Sequence, residues 1–161
     1  MSETTTTIQM TGALDPRDGW TADRCPMAHA LDVMRNRSAF LVLREALYGA
    51  TRFEEFAART GLSEPVTATR LRELTDAGLL QREPYQEPGQ RTRRAYRLTE
   101  KGADLLPAVV ALMQWGDKWV LPGGARVEVR HQGCEAPVTA ELRCAHGHEV
   151  GHEELELARR R

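Results

Sequence analysis

The 161-residue sequence is poor in cysteine, has no long apolar run and carries none of the short motifs that mark catalytic centres. Its three cysteines, Cys25, Cys134 and Cys144, are too few and too odd in number for a disulfide framework. A reducing cytoplasm is therefore the expected location. No stretch approaches the roughly 18–20 consecutive apolar residues of a spanning helix, so no membrane partner is expected. The first residues, MSETTTTIQMTGALDPRDGW, lack a basic segment followed by an apolar one, and no secretory signal is read there. A phosphate-binding glycine loop, Gly-x-Ser-x-Gly and His-Glu-x-x-His are all missing, and no acid pair stands out as catalytic. A protein that is not an enzyme is the expectation.

What is present has ordinary globular proportions, 41% hydrophobic and 28% charged, which excludes wholesale disorder. The length suits one domain, or one domain with an appendage. A net charge of −1 hides an uneven distribution: residues 1–34 balance to −3, 35–102 to +4 and 103–161 to −2. A basic middle between acidic ends suits a polyanion, although a mixed solvated surface gives the same count.

Residues 1–24, with four consecutive threonines and no apolar period, read as a flexible N-terminal tail. A first helix is expected from Cys25-Pro26, with Leu31, Val33 and Met34 apolar. A second runs from about Ser38 to Tyr48 on Phe40, Leu43 and Leu47 and stops at Gly49. Phe53, Phe56 and Ala57 mark a short third helix ending at Gly61. Ser63 and Pro65 then suit the cap and first turn of a fourth, with Thr67, Leu71 and Leu74 inward. At Leu79 the period switches to 2, giving strands at 79–85 and 91–98 about the turn Glu87-Pro88-Gly89-Gln90. Thr99 can cap a last long helix to about Val120, bent or offset near Pro107. Residues 122–161 change composition and read as a small Cys/His-containing, ribbon-like appendage of strands and turns. The fold class is mainly α with a β-hairpin wing (α+β): a winged helix-turn-helix over 25–121, plus that appendage.

Cys25-Pro26, Leu47-Tyr48-Gly49 with Arg52-Phe53, Arg70-Leu71-Arg72-Glu73-Leu74, Gly78-Leu79-Leu80 and Tyr96-Arg97-Leu98-Thr99-Glu100-Lys101-Gly102 follow one another in a particular order. In this the chain resembles the HxlR-type regulators, bacterial winged-helix transcription factors related to the MarR group. It departs from them between the first two helices, where Arg35-Asn36-Arg37-Ser38-Ala39-Phe40 replaces a Gly-Lys-Trp and Phe40 supplies the bulk. The resemblance implies a sequence-specific transcriptional regulator acting on a double-stranded operator as a homodimer.

With Thr67, Leu71 and Leu74 assigned to the core, the candidate DNA-binding residues of the fourth helix are Ser63, Pro65, Val66, Thr69 and Arg70, beside Glu64 and Glu73. Arg70 has a second reading, an intramolecular pair with a carboxylate. In the hairpin Arg91, Arg93 and Arg97 share the expected outward face with Ala95, and Gln90 sits at the tip. Four arginines in seven residues point to phosphate, while a charged edge that prevents aggregation is the alternative. Leu105, Val109, Leu112, Trp115 and Trp119 form an apolar stripe too wide for one small domain, and a dimer interface is expected there.

Cys25 stands at a helix N-terminus beside Arg24, and both favour negative charge on sulfur. The resemblance adds that members often keep a cysteine here and that some use it to sense oxidants or electrophiles; an inert cap residue is the other reading. A small-molecule effector is equally open. His131-x2-Cys134 and Cys144-x-His146-x-His148 look like a degraded zinc ribbon. Zinc is the one cofactor considered, against a metal-free vestige of such a ribbon. Two further functions stay open, a winged-helix protein-interaction module and a zinc-binding protein centred on the tail.

Overall fold

The computed structural model describes residues 8–11, 21–86, 89 and 92–158. In chain order it contains β1 (Gln9–Met10), α1 (Pro26–Met34), α2 (Arg37–Leu47), α3 (Phe53–Thr60), α4 (Glu64–Asp76), β2 (Leu80–Tyr85), β3 (Arg93–Leu98), α5 (Glu100–Ala103), α6 (Leu106–Trp119) and β4 (Glu156–Leu157). The chain divides into two units, residues 23–127 and residues 128–161 with the N-terminal segment up to Ala22. The larger is a mostly helical winged helix-turn-helix whose wing is the β2–β3 hairpin.

Local sequence accounts for its boundaries. The Asn36 side chain caps α2 by accepting from the Ala39 N–H at 3.1 Å. The second helix buries Val42 and Leu43, α3 buries Phe56, and α4 buries Thr67, Leu71 and Leu74, as the spacing predicted. These side chains meet Met34, Leu79 and Leu80 in one core, with Phe40 packed against it. Gly61 ends α3 in the left-handed region at φ 67°, a conformation that costs glycine little and turns the chain into α4.

The wing pairs β2 and β3 antiparallel from Leu80↔Leu98 to Tyr85↔Arg93. Tyr96 anchors it: its ring meets Phe56 edge-on at 6.0 Å, and its N–H donates to Thr51 O at 2.7 Å. Gly89 has φ 77°, which fits the third position of the expected turn, while Glu87, Pro88, Gln90 and Arg91 lie outside the described residues.

The expected last helix is two helices. Thr99 does cap, its hydroxyl oxygen accepting from Gly102 N at 3.1 Å, but α5 stops at Ala103. Pro107 has no N–H, and its ring would strike the carbonyl four residues back in a continuous helix. In the first turn of a fresh α6 neither problem arises. The break tips the start of α6 onto the core: Leu105 is half-buried against it and Val109 is only 6% exposed.

The smaller unit pairs β1 with β4 in parallel, Gln9 with Glu156 and Met10 with Leu157. Residues 9 and 10 fall inside the segment read as a tail, and a two-residue strand has no period to detect. Two tight turns follow, closed by bridges Arg130↔Pro137 and Arg143↔Glu149. Among the described residues of this unit none is buried; Val129, Val138, Cys144, Val150 and Leu155 are half-buried. No described helix is long and apolar enough to cross a membrane.

Candidate nucleic-acid interface

The helix-turn-helix is α3 and α4. Its first helix is fixed by Glu55, whose Oε2 accepts from the N–H groups of Thr51 at 2.8 Å and Arg52 at 3.0 Å. Those two backbone donors, Thr51 first, hold the Glu55 carboxyl below the usual carboxylate value. Ser63 occupies the cap position of α4, yet its hydroxyl makes no capping bond. Thr67 Oγ1 instead donates to the Ser63 carbonyl at 3.0 Å.

With Thr67, Leu71 and Leu74 turned inward, α4 exposes Ser63, Glu64, Pro65, Ala68 and Arg72. Val66, Thr69 and Arg70 are half-buried. Of the two readings of Arg70, the structure contains the intramolecular one. The guanidinium pairs with Glu73, and Arg70 Nε is buried with no partner among the described residues. Sequence reasoning passed over Arg72, which is exposed and makes no ion pair among the described residues. The signal that finds it is spacing: Glu64, Ala68 and Arg72 form an i, i+4, i+8 row clear of the buried triplet.

On the wing, Arg93 Nη1 pairs with Glu54 at 3.3 Å and Arg97 Nε with Glu83 at 3.1 Å. Both arginine side chains remain more than half exposed. Such exposed pairs are worth about 0–1 kcal/mol, so a phosphate can replace either carboxylate. The expected outward face is not open throughout, because Ala95 between them is only 7% exposed. Arg94 is exposed and makes no ion pair among the described residues. Gln90 and Arg91, the other wing candidates, lie outside the described residues.

The proposed interface stripe divides in two. Leu105 and Val109 are covered by their own chain, because the α5–α6 break turns that end of α6 inward. Leu112, Trp115 and Trp119 are 55%, 60% and 68% exposed, and Leu106 and Val120 join them. On α1, Met27 and Leu31 are exposed as well.

Cys25 is a half-buried free thiol at the cap position of α1, and its side chain makes no capping bond. In the smaller unit His131 Nδ1 lies 3.2 Å from Cys134 Sγ. Cys144 sits in the other turn with His146 and His148, whose rings are 6.4 Å apart. Among the described residues no three His, Cys, Asp or Glu side chains converge as metal ligands. The five candidate zinc ligands fall into two turns, His131 with Cys134 and Cys144 with His146 and His148. Each turn is closed by its own backbone bonds, His131 N to Ala136 O at 2.9 Å and Cys144 N to His148 O at 3.0 Å.

The chain as a whole is similar to known proteins. The chain is 40% identical over 126 residues to the HTH-type transcriptional regulator Rv3095 of Mycobacterium tuberculosis, covering 77% of this chain and 78% of that one. Among solved structures it is similar to PA1607, described as a transcription factor, with 32% identity and a TM-score of 0.75 over 86% of this chain and 96% of that one. The reduced transcriptional regulator YodB of Bacillus subtilis shares 29% identity and a TM-score of 0.52, over 62% of this chain and 97% of its own. The redox regulator HypR in its oxidised form also shares 29%, with a TM-score of 0.53 over 58% and 96% of the two chains. Residues 33–123 match the HxlR-like helix-turn-helix family, and with α3 and α4 inside that span the chain belongs to this family of transcriptional regulators.

Proposed function

We propose that this regulator binds a pseudo-palindromic operator as a homodimer, with α4 in the major groove and the wing along the phosphate backbone. The observation that carries the reading is the polar, exposed side of α4 from Ser63 to Arg72, opposite a side that the core consumes entirely. Ser63, Pro65, Val66 and Thr69 belong to the end of α4 that enters a groove, and the Ser63 hydroxyl, free of capping work, suits a phosphate. The wing arginines Arg91, Arg93 and Arg94 supply the sequence-independent part of the affinity. A second copy covering Leu112, Trp115 and Trp119 would set two α4 helices one DNA turn apart.

Footprinting on the DNA flanking its own gene tests this, followed by affinity against salt concentration. Changing Arg91 and Arg93 together to alanine should weaken all sequences alike and flatten the log–log salt slope by about 0.9 per lost contact. Binding to random DNA that does not change with salt would instead favour a protein-interaction module.

The effector reading rests on a different observation: Cys25 is a free thiol at the start of α1, and one solved relative, HypR, is described as a redox regulator. Oxidation of Cys25 to a sulfenic acid or a mixed disulfide would add bulk beside the apolar α1 surface and alter operator affinity reversibly with reductant, whereas alkylation would alter it irreversibly. Diamide titration of the parent and Cys25→Ser decides it, equal responses leaving Cys25 an inert cap.

A further inference from the structure

We infer that Arg72 is the base-reading arginine of α4, that it reads a guanine, and that Arg70 is a positioning residue held away from the bases. The inference rests on the DNA-binding reading above and deepens it by naming the residue and the base. Two arginines flank Leu71 on α4, and the fold treats them differently. Arg70 is half-buried, its guanidinium is spent on Glu73, and its Nε is enclosed without a partner. Swinging it into a groove would break that pair and leave Glu73 facing DNA alone. Arg72 is exposed, makes no ion pair among the described residues, and has nothing to give up.

The row on which Arg72 lies says which part of DNA it meets. Helical side chains lean toward the helix N-terminus, so Arg72 extends back over residue 68, one turn earlier. That residue is Ala68, exposed and small, which leaves the path clear. At the head of the row stands Glu64, exposed and also without an ion pair among the described residues. A carboxylate is repelled by phosphate but accepts hydrogen bonds from base amino groups, so a row headed by Glu64 does not run along the backbone. It fits the groove floor. There a guanidinium has one well-matched target, the paired acceptors O6 and N7 of guanine, which it engages with two parallel hydrogen bonds.

The test uses the full chain and a randomised duplex pool. The parent should select a half-site, and exchanging one particular G·C pair for A·T should weaken binding about 5- to 100-fold. Arg72→Ala should bind both versions of that duplex equally, with unchanged preference elsewhere in the site. Arg72→Lys, which keeps the charge but not the fork, should lose most of the same discrimination while staying folded. The inference is overturned if Arg72→Ala keeps the parent's preference at every position. It is equally overturned if the loss is uniform over all duplexes with a reduced salt slope, which marks a phosphate contact. A parent that selects no sequence over the pool would overturn the DNA-binding reading itself, a different result from either.

Discussion

Among the described residues, every buried side chain lies in the unit spanning 23–127, and none lies between residues 128 and 158. The larger unit is held by packing: Phe56, Leu43, Leu71 and Leu74 interlock from three helices, and the wing leans on them through Tyr96. The smaller unit is held by backbone hydrogen bonds across two tight turns and one two-residue strand pair. Packing makes a unit cooperative, because each core side chain touches several elements. Isolated turns and short ladders open one at a time. The contrast fits the DNA-binding reading proposed above, since reading a groove needs a rigid helix and a rigid wing.

The largest effect expected from this contrast is on stability. Phe56→Ala removes a ring with 0% exposure that also supports Tyr96, and should cost about 3–5 kcal/mol in urea unfolding. Val138→Ala, at a half-buried position of the smaller unit, should cost less than about 1 kcal/mol and leave the main transition in place. A Val138 loss as large as that at Phe56 would break the comparison, because it would reveal a packed core where the isolated chain has none.

The next effect concerns apolar side chains of the larger unit that its own core does not use. If Leu112, Trp115 and Trp119 are covered by a second copy, the protein should be dimeric at micromolar concentration. Leu112→Glu would then place an unpaired charge in that contact and weaken association by at least about 100-fold, given the several kcal/mol such a burial costs. Light scattering reads the outcome. The change should leave the monomer fold intact, since Leu112 is more than half exposed in the single chain. A parent that is monodisperse as a monomer would refute the dimer.

The same contrast explains what could be read in the sequence. Apolar spacing located α2, α3 and α4 because their buried residues recur every three or four positions against one core. The wing was legible because period 2 follows Gly78 abruptly and a Pro-Gly pair separates its strands. Leu105 and Val109 were placed on the dimer face because helical period says only that a face is apolar, not what covers it. The choice between Arg70 and Arg72 has the same cause, because both are arginines beside a core leucine and only the rotation of α4 separates them. In the smaller unit the strands are two residues long, too short for any period. There the Cys/His spacing left a metal site and a metal-free ribbon equally legible, and each turn carries its own closing backbone bonds.

The smallest effect compares one device used in both units, a glutamate reaching back to the start of its own helical turn. In the larger unit Glu55 Oε2 accepts from both Thr51 N and Arg52 N at the head of α3, and Arg59 approaches its other oxygen at 3.3 Å. In the smaller unit Glu154 Oε2 accepts only from Gly151 N, at 2.8 Å, in a three-residue turn. Glu55→Ala should cost about 1 kcal/mol at pH 7, the usual worth of a helix N-terminal cap. Glu154→Ala should be close to neutral, because its turn supports nothing buried. The pH dependence gives the sharper check. The backbone donors of Thr51 and Arg52 lower the Glu55 carboxyl in the folded state, so its contribution is present above the unfolded value of about 4.3. It is lost as pH falls below that and through the folded value. Urea unfolding at pH 7 and at about pH 3 should therefore show the gap between parent and Glu55→Ala narrowing with acid, whereas a gap of equal size at both would mean that the carboxylate charge is not what holds the start of α3.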